Sequence, residues 1–235
     1  MRQKKKKRKG KKLVVIIIVL AVLLLVGGAI YLATQQIKLL DGEVGKLLRL
    51  DETEGSIDEE IYTNGNYGEV EQTIKDYIGE YRENLLVIKT LFQDQEFSDI
   101  LSMENMQKDG PAFEKSLKYL DEKADLAKQA FQRLQTMAEE ETILAAIEEK
   151  SLGSYFEWIY KRLMLERVQT DYMYSAEGLK SAEESVEQTI AERKEILVFL
   201  SEHADDWKLD GGKLKFESDA LLKQYNQLVN NINQE

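Results

Sequence analysis

Several groups of residues in this 235-residue chain have types and spacings that could do chemistry. Asp206, Asp210, Gly211 and Glu217 fall at positions 1, 5, 6 and 12 of a calcium-binding EF-hand loop. Lys208 stands at position 3, where a ligand oxygen is needed, and Lys213 at position 8, so a turn explains the residues better than a metal. Glu139, Glu140, Glu141, Glu148 and Glu149 supply the paired carboxylates that glycoside hydrolysis uses. With 43 acidic side chains such clusters arise anywhere, and a charge run on a helix is ordinarily a solvated face. His203, the single histidine, ends a helical stretch, where a partly cationic imidazole favours the dipole. Arg193 lies on an apolar stripe between Ile190 and Leu197, which puts it at the edge of the core or opposite a carboxylate of a facing helix.

The aromatic group Tyr155, Phe156, Trp158 and Tyr160 is the candidate partner-binding surface. At about 100° per residue, Tyr155 and Trp158 share one side of a helix while Phe156 and Tyr160 share another. Such a helix either sits between several neighbours or presents one side to a partner, and aromatic residues are enriched at binding hot spots.

Other chemistry is excluded by composition. The chain has no cysteine, which removes disulfides, thiolate catalysis, cysteine-held zinc and a lipid-modified cysteine. One histidine rules out the di-metal carboxylate site of helical bundles in its usual form. No nucleophile-elbow, Ser-x-x-Lys, phosphate-loop or dinucleotide-binding motif is present. No cofactor and no catalytic activity are expected.

The elements that must position these groups begin with an anchor. Leu13 to Ala33 is 21 uncharged residues, about 30 Å of helix and the thickness of a bilayer's hydrocarbon core. Arg2, Lys4, Lys5, Lys6, Lys7, Arg8, Lys9, Lys11 and Lys12 precede it. Basic flanks stay on the cytoplasmic side and attract anionic lipid. The expected layout is therefore a basic cytoplasmic tail over 1–12 and a single-pass signal-anchor over 13–33. A juxtamembrane helix and acidic spacer over 34–66 and an extracytoplasmic domain over 67–235 follow. A cleavable signal peptide competes, with 13–26 as its apolar region and Gly27-Gly28-Ala29 as a small-x-small site. The apolar residues that continue from Ile30 to Ala33 favour the anchor. The expected setting is the plasma membrane of a bacterial cell.

Beyond the anchor, Ile37, Leu40, Val44 and Leu47 keep helical spacing, and residues 51–60 hold six acids and no base. From Glu69 to Gln93, Val70, Ile74, Tyr77, Tyr81, Leu85, Ile88 and Phe92 trace one stripe. A short segment from Phe97 to Met106 stops at Gly110-Pro111. Phe113, Leu117, Leu120, Ala124, Ala127, Phe131, Leu134 and Ala138 form a coiled-coil-like seam, expected to continue through Ile143 and Ile147 to Ser151. Ser154 with Glu157 matches a capping box for a helix to Tyr174, and Ser181 with Glu184 offers a second match inside the next segment. A turn or kink is expected near Gly178. Leu179, Val186, Ile190, Leu197 and Leu200 stripe a further helix that ends at His203. Trp207, Leu209, Leu214 and Phe216 alternate about Asp210-Gly211-Gly212, a hairpin pattern, and Ser218 or Asp219 opens a last helix. The expected fold is all-α: one transmembrane helix, then an antiparallel up-and-down bundle of four to five helices with a small β-hairpin near the C-terminus.

Residues 1–12 carry nine of the 32 basic residues and no acid, leaving a net −20 over residues 34–235. That field repels nucleic acid. The function expected is a membrane-anchored, extracytoplasmic scaffold of the cell envelope, whose partners are membrane lipid and an envelope protein or a second copy. The alternatives are a binding module for a wall polymer, small ligand or metal cation, and an enzyme with an unrecognised carboxylate site.

Overall fold

The computed structural model describes residues 2–50 and 56–232, with the side chains of Leu20 and of Val22 onward. The side chains of the basic cluster, Arg2 to Lys12, and half of the acidic run, 51–55, lie outside the described residues. Helix α1 spans Arg2–Leu47 without a break, about 70 Å of rod. Its stretch Val22–Leu47 is long and apolar enough to cross a membrane. One helix has two environments: Leu23, Leu24, Leu25 and Leu32 are exposed, whereas Leu40, Val44 and Leu47 are buried, Leu40 completely. The stripe that continues past the apolar run is thus the face by which α1 joins the core.

Residues 56–64 lie along α2, Asn66–Gln93. Although the composition of 51–60 is that of a solvated spacer, its described part is clasped. The Glu71 carboxylate, 1 % exposed, accepts the Thr63 N–H at 2.9 Å, the Thr63 hydroxyl at 2.8 Å and the Tyr62 N–H at 3.1 Å. Lys75 pairs with Glu71 at 2.9 Å and donates to the Glu60 carbonyl at 2.6 Å. Burial works against the Glu71 charge, but the hydrogen bonds from Lys75, Thr63 and Tyr62 outweigh it and hold the carboxyl below its ordinary value.

Two short helices, α3 (Gln95–Asp99) and α4 (Met103–Asp109), lead into α5, Glu114–Met137. Then come α6 (Glu140–Glu148), α7 (Ser154–Leu163), a π-helical turn (Met164–Val168), α8 (Gln169–Asp171) and α9 (Ala176–Glu202). Strands β1 (Trp207–Asp210) and β2 (Lys213–Phe216) pair antiparallel, Trp207 opposite Phe216, before α10 (Asp219–Ile232). Gly211 and Gly212 make the turn with φ of 60° and 75°, a left-handed conformation that favours glycine. The fold is all-α with one small hairpin, as its patterning implies.

Pairings along the helices give their directions. Tyr77 donates to the Met137 carbonyl and Lys123 reaches Asp94, so α5 runs antiparallel to α2. Gln135 meets Glu183 and Lys194 meets Asp121, so α9 runs antiparallel to α5. Ile74, Ile78, Tyr81, Leu120, Leu134, Leu197 and Leu200 fill the core between them. Helix α10 rests on it through the partly buried Tyr225, Leu228 and Val229, with no fully buried residue.

Three boundaries differ from the sequence patterning. The α5 seam does not continue through Ile147, because the chain turns extended at Glu139 and restarts as α6. Carbonyls freed there are taken up by distant side chains: Met137 by Tyr77 at 2.6 Å and Ala138 by Gln169 at 2.8 Å. Ser154 does not cap α7; Gly153, with φ of 92°, takes that position. Ser181 lies inside α9, and the helix start belongs to Ser175, whose hydroxyl accepts the Gly178 N–H at 3.1 Å, so Gly178 sits in the first turn and the break comes before it.

Candidate functional site

Helix α7 carries the aromatic group. Tyr160 is fully buried, and its hydroxyl has no hydrogen-bond partner among the described residues; burial pushes the hydroxyl pKa up. It is therefore a core residue and cannot meet a partner. Phe156, half-buried, packs edge-on against Tyr67 with centroids 5.1 Å apart. Tyr155 and Trp158 face outward, 47 % and 54 % exposed. The angular reading of the four residues thus divides them correctly into an inner and an outer pair, and only the outer pair is a surface.

Of the outer pair, Trp158 lies against α1. Trp158, Ile159, Arg162 and Leu163 face Ile37, Lys38 and Asp41 across a groove of about 340 Å³. The Arg162 guanidinium lies 5.8 Å from the centre of the Trp158 ring, and Arg167 pairs with Asp41 one turn further along. Tyr155 shares a hydrogen bond with Tyr67, hydroxyl to hydroxyl at 3.2 Å. Burial, and then that bond, push the Tyr67 hydroxyl up to about 12. At the same end Gln36 accepts the Asn64 N–H at 2.7 Å.

This end of the bundle is built from segments far apart in the chain. Tyr67 and Lys38 carry no sequence signal that joins them to Trp158, whereas Arg162 follows it by one helical turn. The stripe Ile37, Leu40, Val44 is the one clue that α1 reaches into the domain.

The remaining chemical candidates are placed as follows. His203 follows α9, with Nδ1 3.2 Å from Asp206 and its ring 4.7 Å from that of Phe199. Asp210 pairs with Lys215 at 2.6 Å across the hairpin, and the Glu217 N–H donates to the Asp206 carbonyl at 2.8 Å, so the EF-hand-like residues form the neck and turn of the hairpin. Among the described residues no three histidine or carboxylate groups gather as a cation site. Glu139, Glu140, Glu141, Glu148 and Glu149 are all exposed, and Glu140 pairs with Lys161. Arg193 is half-buried at the edge of the core, the first of its two expected placements: its guanidinium lies 4.6 Å over the Phe97 ring and donates to the Thr189 carbonyl. Burial lowers its pKa.

Hollows also occur elsewhere on the bundle. A polar cleft of about 770 Å³ is lined by Gln135, Glu139, Gln169, Lys180 and Glu183, but both carboxamide N–H groups already donate within the chain. An apolar groove of about 310 Å³ on the flank is lined by Leu85, Ile88, Phe131, Leu179 and Val186. Comparison with protein-family models, with curated proteins and with solved structures gives no match.

Proposed function

We propose that this protein is a membrane-anchored scaffold of the bacterial cell envelope that holds a helical bundle in a fixed pose outside the plasma membrane for a partner protein. The basic residues before the apolar run keep the N-terminus cytoplasmic and place the bundle outside. The observation that carries the reading is the continuity of α1: the helix that is exposed and apolar over Leu23 to Leu32 is the same helix that is buried at Leu40, Val44 and Leu47. A tether needs no such rigidity; a scaffold that presents one face does. The apolar flank groove at Leu85, Ile88 and Val186 is the surface this reading offers a partner.

Two experiments test it. The chain has no cysteine, so single substitutions report topology cleanly. Lys223→Cys is expected to react with an impermeant maleimide in intact cells, and Lys9→Cys only after permeabilisation; the reverse pattern contradicts the orientation. A flexible Gly-Ser insertion after Ala33 leaves the packed part of α1 intact but frees it from the span. Partner cross-links are expected to disappear while the bundle's melting temperature is unchanged. Cross-links that survive the insertion would reduce α1 to a tether.

A further inference from the structure

We infer that the aromatic end of the bundle rests in the headgroup layer of the outer leaflet, with Trp158 and Tyr155 as its lipid-facing residues. The inference rests on α1 being the membrane span, as proposed above.

Height along α1 sets the level of these rings. The uncharged run ends at Ala33, and Ile37 and Asp41 stand about 6 and 12 Å beyond it at 1.5 Å per residue. The polar layer outside the hydrocarbon is about 5–8 Å thick on each side. Trp158 shares its groove with Ile37, Lys38 and Asp41, so its side chain stands at or just above that layer. Helix α7 runs alongside α1 in the same direction, since Arg167, further along, meets Asp41 and approaches Gly45. Tyr155, three residues before Trp158, is therefore nearer still to the membrane.

Residue chemistry agrees with that level. Indole and phenol rings have an apolar body and a polar tip, which suits the headgroup level better than bulk water or hydrocarbon. Tyr31, on α1 itself and 63 % exposed, supplies a third ring from the anchor side. Lys38 is exposed beside the groove, and Arg162 lies over Trp158, so both cations are placed for lipid phosphates despite the acidity of the domain as a whole. Space selects lipid over protein as the occupant. A surface level with the first turns beyond Ala33 leaves a gap of only a few ångströms above the leaflet by the same helix rise, too thin for a protein partner.

The test uses the full-length chain in nanodiscs of phosphatidylcholine and phosphatidylglycerol, with a fraction of the phosphatidylcholine bearing a nitroxide on its headgroup. Trp207, the only other tryptophan, is an internal reference. It stacks on Phe113 at the opposite end, beyond the 28 residues of α2, about 40 Å away. Loss of the Trp158 emission is expected with the nitroxide lipid while the Trp207 emission persists, and Trp158→Phe shows no loss. Wild-type emission unchanged by the nitroxide would overturn the inference and leave α1 as the span. A chain that does not enter the discs would overturn both readings. Independently, a photo-cross-linking amino acid replacing Tyr155 in cells is expected to yield a lipid adduct. A protein adduct at that position would overturn the lipid assignment.

Discussion

The two ends of this molecule each carry a tryptophan, and the chain treats them differently. At the end remote from the apolar run, Trp207 is half-buried, stacks on Phe113 and donates its indole N–H to the Leu200 carbonyl at 2.7 Å. Its neighbours are equally bound into the packing. Gly110 leaves no room for a side chain, since a Cβ there would lie 2.4 Å from the Met106 carbonyl oxygen. Phe113 begins α5 with a left-handed φ of 53° and is completely buried. That conformation costs a non-glycine residue about 1–2 kcal/mol, and burial of the ring offsets it. At the end near the apolar run Tyr155 and Trp158 are held on α7 but turned outward. One aromatic cluster completes the fold; the other is positioned by the fold and left for something else.

Substitutions should separate the two ends by size of effect. The largest loss is expected from Glu71→Ala, which removes the acceptor of three hydrogen bonds and strands Lys75 in a buried site, costing about 3–5 kcal/mol in urea unfolding. A loss under about 1 kcal/mol would mean that the 56–64 strap does not fix this end of the bundle. Trp207→Ala should cost about 3 kcal/mol, toward the low end for a core aromatic because the ring is only partly buried. Between these and the mildest change lies Asp94, which caps α3. The Lys123 ammonium, 2.8 Å away, holds its carboxyl at about 2, below the ordinary 3.8. A folded-state value that is lowered gives stability present above pH 3.8 and lost as pH falls toward 2. Lys123→Met should flatten that acid slope of the unfolding midpoint, with a cost of about 1 kcal/mol or less near neutrality. Smallest is Trp158→Ala, expected to shift stability of the detergent-solubilised chain by no more than about 0.5 kcal/mol. A cost matching that of Trp207→Ala would erase the distinction between the two ends.

Much of this architecture can be read from local pattern. The apolar run, the stripe of α2, the seam of α5 and the Gly-Gly hairpin each depend on spacing within a few residues. The misplaced boundaries depend on partners far away in the chain. The end of α5 at Met137 is legible only once Tyr77 and Gln169, 60 and 31 residues from the carbonyls they bond, are known to reach them. Arg193 shows the same limit, because nothing near it in sequence announces the Phe97 ring. Of the aromatic group, helical geometry separates Tyr155 and Trp158 from Phe156 and Tyr160. It does not reveal that Trp158 lies beside α1, since that follows from how α1 docks. The acidic spacer reads as solvated because charge dominates its composition, while the clasp that holds it comes from Glu71 and Lys75, a buried i,i+4 pair that resembles any surface pair.

The central claim is that one helix runs unbroken from the apolar span into the bundle core. Amide hydrogen exchange across residues 34–47 of the full-length chain in nanodiscs tests it most directly. Protection there is expected to be comparable with that of α2, because Leu40, Val44 and Leu47 are packed as deeply as its core residues. Exchange over 34–47 at the rate of an unstructured linker, with α2 still protected, would contradict it.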